Sequence, residues 1–323
     1  MRSFRTAVAG LGCLGVLGAA GCSADAPSGP TTSYQPYVSA TAASSGDSAG
    51  SPAVYNLAFV ISDGSGCTPR WNGTYAVGDT AVTSRIAQLT AGGASVRVSF
   101  GGASGKELAA TCDSAAGLAA AYAAALDAAG ATQADFDIEG DELTDSASIA
   151  LRSRAIALLQ KQRPALKVSF TLPVMPSGLD SGSLALLASA NTYDVQVSTV
   201  NLMTMNYGES YTGDMGAYAL ASATAAHTQL KSVFGLSDAA AWRGMALTSM
   251  IGVNDVAGET FGLADAAEVR AFAEEKGIAW VSMWSTFRDR PCATGSATDD
   301  ALTDCSGVTQ KDGAFAEAFS GRS

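Results

Sequence analysis

Asp135-Phe136-Asp137-Ile138-Glu139 alternates acids with apolar residues at a period of two. On a β-strand that period places Asp135, Asp137 and Glu139 on one face, and Phe136 and Ile138 on the other. The run sits mid-chain among other apolar runs, which argues against a solvated acidic edge. It predicts one strand of a closed parallel barrel, with Phe136 and Ile138 against surrounding helices and the three acids turned inward. Glu139 then lies nearest the C-terminal mouth, where such barrels carry their active sites. Carboxylates crowded on an interior face repel one another and lose solvent, so at least one should hold a proton at neutral pH. That arrangement is costly for stability and suits general-acid catalysis. A divalent-cation site is the competing reading of clustered acids.

Working outward, strand-like apolar runs are predicted at 34–40, 54–61, 95–100, 134–138, 167–172, 200–205, 244–249 and 278–284. Helix-like runs fall between them at 82–91, 107–129, 145–162, 184–190, 216–234 and 264–276, with a last one at 312–319. The first connection, 41–52, is rich in Ser and Gly, so its helix is expected to be weak or missing. Eight strands alternating with helices indicate a parallel sheet, and at that number the closed (β/α)8 TIM barrel is the natural solution. A doubly wound open sheet is the alternative, but no Gly-rich dinucleotide loop follows the first strand.

Composition narrows the function. The 323 residues are 47% hydrophobic and only 15% charged, which fits a large core. A formal net charge of −11 with no Lys/Arg run weighs against a nucleic-acid surface. His227 is the sole histidine, which excludes Ser-His-Asp and Cys-His mechanisms and leaves zinc short of ligands. Its Ala-rich surroundings mark it as a packing or surface residue.

Residues 1–22 read as an export signal. Arg2 and Arg5 form the charged start, the apolar stretch 7–20 is too short to span a membrane, and Ala19-Ala20-Gly21-Cys22 is similar to a bacterial lipobox with Cys22 as the lipidated residue. Residues 23–33 form a flexible tether, and 34–323 the barrel. The expected protein is an exported, bacterial, monomeric one that meets a membrane only through this anchor. Beyond the signal, Cys67, Cys112, Cys292 and Cys305 are an even set in an oxidising compartment, which suggests disulfides among three possible pairings. Closeness in sequence favours Cys292–Cys305, a short loop whose closure contributes about 3 kcal/mol. Cys67–Cys112 would then tie two loops on one rim.

The acidic run resembles the DxxDxDxE signature of glycoside hydrolase family 18. Asp135, Asp137 and Glu139 match its last three acids, and Thr132 stands in place of the first. Ser99-Phe100-Gly101-Gly102 resembles the SxGG of the third strand, and Met203-Thr204-Met205-Asn206-Tyr207-Gly208 the Met-x-Tyr of the sixth. Met250-Ile251-Gly252-Val253-Asn254-Asp255 follows the seventh. Trp280-Val281-Ser282-Met283-Trp284-Ser285 resembles the eighth, whose final Trp284 floors the sugar site. The resemblance implies a chitinase that cuts β-1,4-linked N-acetylglucosamine polymers with retention and substrate assistance. In its terms Glu139 is general acid and base, Asp137 orients the substrate acetamide, Asp135 holds Asp137, and Tyr207 hydrogen-bonds the acetamide oxygen. Ser99, Gly101, Gly102, Met203, Met205, Asn206 and Trp284 are expected at the bound sugar. No cofactor and no metal are implied.

Read without the resemblance, Met203 and Met205 are ordinary core positions, and Gly101 and Gly102 only permit a tight turn. Asn206 before Tyr207 and Gly208 after it stand where the family often carries Asp. Thr286 and Phe287 stand where polar residues are common. Trp71 is a candidate extension of a sugar cleft, and Trp242 a structural residue. The alternative functions are an endo-β-N-acetylglucosaminidase on N-glycans and a non-catalytic carbohydrate-binding barrel, the latter usually lacking the Glu.

Overall fold

Eight parallel staves form the inner wall. They are Ser33–Tyr34 continued by Tyr37–Ser39, then Val54–Ser62, Ser95–Gly101, Gln133–Asp137, Lys167–Pro173, Val197–Met203, Met245–Met250 and Trp280–Trp284. From the second stave to the eighth each is hydrogen-bonded to the next in parallel register. The first stave closes the ring. Its start pairs with the eighth stave, Ser33 beside Trp280, and its continuation pairs with the second, Tyr37 beside Asn56. The computed structural model describes residues 32–296 and 303–321. The expected export signal with Cys22, and the tether up to residue 31, lie outside the described residues. Thr32 is already part of the fold, since its buried hydroxyl donates to the carbonyls of Ala273 and Ile278.

Helices Thr80–Thr90, Ala115–Ala129, Ser146–Gln162, Ser181–Thr192, Met215–Phe234, Leu263–Lys276 and Ala314–Ser320 follow staves two to eight. Asp79, Ser114, Asp145, Asp180 and Asp214 start five of them, each side chain accepting from the first-turn amides. Those caps satisfy donors that the helix leaves unpaired. The first connection carries turns and no helix, as its Ser/Gly composition predicts.

The alternation on the fourth stave resolves as the period-two pattern requires. Phe136 points outward and packs against Phe100, Phe170 and Tyr122 of helix Ala115–Ala129, at ring separations of 5.0–5.7 Å. Asp135 and Asp137 point inward and are buried.

Several boundaries differ from the sequence reading. The sixth stave spans Val197–Met203 rather than 200–205, because the Thr204 amide turns to the Thr248 carbonyl and the apolar Met205 belongs to the following loop. The expected helix 107–129 breaks into a turn at Leu108–Ala110 and the helix Ala115–Ala129, with Cys112 between them tied to Cys67. Short antiparallel pairs, Pro69–Trp71 with Tyr75–Ala76 and Gly252–Val253 with Thr260–Phe261, and a short helix Asp238–Arg243, carry no clear pattern in sequence. Both expected disulfides form, with Cα separations of 4.5 Å for Cys67–Cys112 and 5.1 Å for Cys292–Cys305. Among the described residues no helix is long and apolar enough to cross a membrane.

Candidate active site

The inner face of the fourth stave forms a ladder, and its rungs differ. Asp135 is fully buried and receives four hydroxyls. Tyr37 and Ser99 donate to one carboxylate oxygen at 2.9 and 3.0 Å, and Ser169 and Thr171 to the other at 2.6 and 2.8 Å. Each donor comes from a different stave or position, so the barrel's circumference converges on this one side chain. Burial, with the nearby Asp135 and Asp137 charges adding to it, pushes the Tyr37 phenol well above its ordinary range, so it stays a donor.

Asp137 is the next rung. It is 5% exposed, and its Oδ1 has no hydrogen-bond partner. Burial first, then the charges of Glu139 and Asp135, push its carboxyl well above the usual range. Glu139 stands at the rim, preceding the turn Gly140–Leu143 without capping it. Its carboxyl is also pushed up, by burial and by the Asp255 charge, against a hydrogen bond from Asp137 that favours the ionised form. No Lys or Arg forms an ion pair with either acid among the described residues. Two close carboxyls without a cation hold one proton between them near neutral pH. That proton is positioned for transfer to a bound group.

Above the pair lies an open cleft lined by both acids. Trp284, Phe59 and Tyr37 form its apolar side, with ring centroids 5.5–6.0 Å apart. Aromatic faces of this kind suit the C–H face of a sugar ring. The peptide bonds Ala58–Phe59 and Trp284–Ser285 are cis. Met203 and Met205 line the facing wall, and Asn206, Thr171, Thr248 and Asp255 add polar groups.

Of the residues singled out in sequence, Asp137, Glu139, Met203, Met205, Asn206 and Trp284 therefore meet in one cleft. Five others do not line it, the first being Asp135, fully buried beneath Asp137. Ser99 is fully buried and spends its hydroxyl on Asp135, below the cleft floor. Gly101 has φ of 102°, and a Cβ there would collide with the Asp137 carbonyl oxygen. At Gly102 a Cβ would stand 2.9 Å from the Phe59 ring. These glycines let the third stave and Phe59 approach the acids, and contact no cleft. Tyr207, expected at the substrate acetamide, turns away. Its ring packs against Tyr211 and Tyr218 at 5.8 and 5.9 Å, and it is 4% exposed. The reason is local: the chain passes through Asn206 at φ 54°, so Asn206 faces the cleft and Tyr207 faces the helix Met215–Phe234. Trp71 is also withdrawn, fully buried with its indole N–H on the Val77 carbonyl at 3.3 Å, and extends no cleft. Trp242 is structural, stacked on His227 at 3.9 Å.

Sequence reasoning missed Tyr37, Phe59, Thr171, Thr248 and Asp255. Tyr37, Thr171 and Thr248 lie on inward positions of apolar strands, where alternation alone marks them as interior. Phe59 carries no signal of its own, and Asp255 stood in the Met250–Asp255 stretch without an assigned role.

No protein-family model matches the chain. It is 35% identical over 254 residues to a probable bifunctional chitinase/lysozyme of Escherichia coli, covering 74% of this chain and 28% of that one. It is 33% identical over 252 residues to endochitinase 11 of Metarhizium anisopliae, covering 74% and 48%. The chain thus spans less than half the length of these two curated relatives. Among solved structures, the catalytic domain of the hyperthermophilic chitinase of Pyrococcus furiosus superposes with a TM-score of 0.78 at 30% identity, covering 90% of this chain and 94% of that one. The family 18 chitinase of Pseudoalteromonas aurantia, at 15% identity and a TM-score of 0.57, shares the fold.

Proposed function

The chain belongs to glycoside hydrolase family 18, and from that premise we propose that it is a chitinase acting on β-1,4-linked N-acetylglucosamine polymers through Glu139. The observation that carries this reading is the cation-free Asp137–Glu139 pair, raised in pKa beneath a cleft walled by Trp284.

In the empty cleft the shared proton is held by the pair. When an amino sugar stacks on Trp284, its acetamide N–H offers Asp137 a donor, which favours the ionised form of Asp137 and moves the proton to Glu139. Glu139 then protonates the glycosidic oxygen as the C–O bond breaks, and the substrate's acetamide oxygen attacks the anomeric carbon, giving an oxazolinium ion with retention to follow. The Asp137 carboxylate balances that positive charge. Glu139, now ionised, takes a proton from water, and the hydroxide adds to the anomeric carbon to open the ring. Asp135, held by four hydroxyls, supports Asp137 from below without entering the reaction. Tyr207 has no part at the acetamide. The residues in the cleft require no metal or cofactor for these steps.

The signal-like start, the lipobox-like Ala19-Ala20-Gly21-Cys22 and both disulfides support an exported protein, lipid-anchored at Cys22.

Release of reducing ends from colloidal chitin by the wild type, abolished in Glu139→Gln, is the expected result. Cleavage of a high-mannose glycoprotein with no action on chitin would move the reading to an endo-β-N-acetylglucosaminidase. Sugar binding without any turnover would leave a carbohydrate-binding barrel.

A further inference from the structure

One cleft carboxylate has no part in the steps above. Asp255 lies between Gly252–Val253 and Thr260–Phe261, lines the cleft with Glu139, and accepts a hydrogen bond from the Asn206 amide nitrogen at 3.3 Å. The same short segment carries Glu259, which is 1% exposed. Its Oε1 accepts from the Gly208 amide at 2.8 Å. Asn206 sits in the left-handed region, which Asn tolerates better than most residues. One segment therefore holds the backbone just after Asn206 through Glu259 and the Asn206 side chain through Asp255.

That second clamp is solvent-exposed at both ends. A hydrogen bond of this kind adds little to stability, about 0.5–1.5 kcal/mol. Its placement explains more. With Trp284, Phe59 and Tyr37 on one side and Met203 and Met205 on the other, the cleft offers a sugar's ring face ample apolar contact and few partners for its hydroxyls. Thr171 and Thr248 are committed to Asp135 and Asn201. A hydroxyl both donates and accepts. Asp255 is acceptor-only, and Asn206 retains an N–H and a carbonyl oxygen beyond the bond to Asp255.

We propose that Asp255 is a substrate-binding carboxylate: paired with Asn206, it grips a ring hydroxyl of the amino sugar seated against Trp284, beside the proton donor. The proposal rests on the chitinase reading and deepens it, supplying from the segment after the seventh stave the negative charge that Asn206 lacks. The groups facing Glu139 are Asp137 on its own stave and Asp255 on this segment, and the Asp255 charge also pushes Glu139 upward.

Steady-state kinetics on chitin oligosaccharides test it, using the wild type, Asp255→Asn, and the exchange variant Asn206→Asp with Asp255→Asn. Calorimetric titration with the same oligosaccharides, in a Glu139→Gln background, reads binding alone. Asp255→Asn should lower kcat/KM about 10- to 100-fold, chiefly through KM, as expected for a lost charged hydrogen bond. It should also move the alkaline limb of the pH profile downward. The exchange variant should regain at least about ten-fold. Asp255→Asn within about two-fold of wild type, or an exchange variant no better than Asp255→Asn, would overturn the proposal. A wild type that binds oligosaccharide without cutting it would sink the chitinase reading alone. The calorimetric dissociation constants, unchanged on removing the Asp255 charge, would then sink this one.

Discussion

Two buried acid clusters flank the third and fourth staves, and they are built on opposite principles. Outside the barrel, Glu107 is met by the Arg152 guanidinium at 2.7 Å and the Tyr122 hydroxyl at 3.0 Å, with Glu142 a further 3.9 Å contact of the same arginine. Inside, Asp137 and Glu139 have only acids for charged neighbours, Asp135 and Asp255 besides each other. The outer cluster neutralises its carboxylate with a cation and fastens the segment after Glu139 to helix Ser146–Gln162. The inner cluster neutralises its carboxylates with a proton. A buried acid beside an arginine is a structural fixture, whereas one beside another acid holds something it can give away.

The largest break in the comparison should come from Glu139→Gln, which leaves the inner cluster's shape and removes its transferable proton. Turnover of chitin oligosaccharides should fall by about 10³- to 10⁴-fold with the fold intact by circular dichroism. Arg152→Ala should do the reverse. It leaves Glu107 buried without its cation, and the loss should be about 3–5 kcal/mol in denaturant unfolding, while the folded fraction keeps its KM. Asp137→Asn should fall between, with kcat down about 10²-fold and the fold intact by circular dichroism.

Stability against pH sharpens the contrast further. The folded pKa values of Asp137 and Glu139 are raised. The native state therefore binds more protons than the unfolded chain between the ordinary carboxylate pKa of about 4.3 and the raised values. The associated stability is fully present below that ordinary pKa and is lost as pH rises through the folded values. Asp137→Asn or Glu139→Gln removes this dependence, so at neutral pH either variant should melt about 2 °C or more above wild type. A Tm difference that is the same at pH 4 and pH 8 would count against the shared proton.

Much of this architecture was legible because strand alternation is forced by geometry. The Asp135–Glu139 run has one inward and one outward reading, and the apolar Phe136 and Ile138 select between them. The disulfides followed from cysteine parity and closeness in sequence. The sixth stave shows the opposite case. Met203 and Met205 were expected on one strand with Tyr207 at the sugar, but the strand ends at Met203 and the left-handed Asn206 reverses which neighbour faces the cleft. A single positive φ at a non-glycine residue leaves no mark in an apolar pattern. Ser99, Gly101 and Gly102 were expected at the bound sugar, yet Ser99 holds Asp135 and the glycines let backbone and Phe59 approach. Asp255 ends the Met250–Asp255 stretch after the seventh stave but received no role from sequence, because an acid in a loop resembles any solvated one. Only its 3.3 Å bond to Asn206 and its place beside Glu139 distinguish it.

The shared proton is tested most directly by the pH dependence of kcat/KM on a chitin oligosaccharide, for the wild type and for Asp137→Asn. The wild-type alkaline limb should fall well above the ordinary carboxylate value of about 4.3, and losing the Asp137 charge should move it down. A limb at the ordinary carboxylate value, unmoved by the substitution, would mean that the inner acids hold no proton in common.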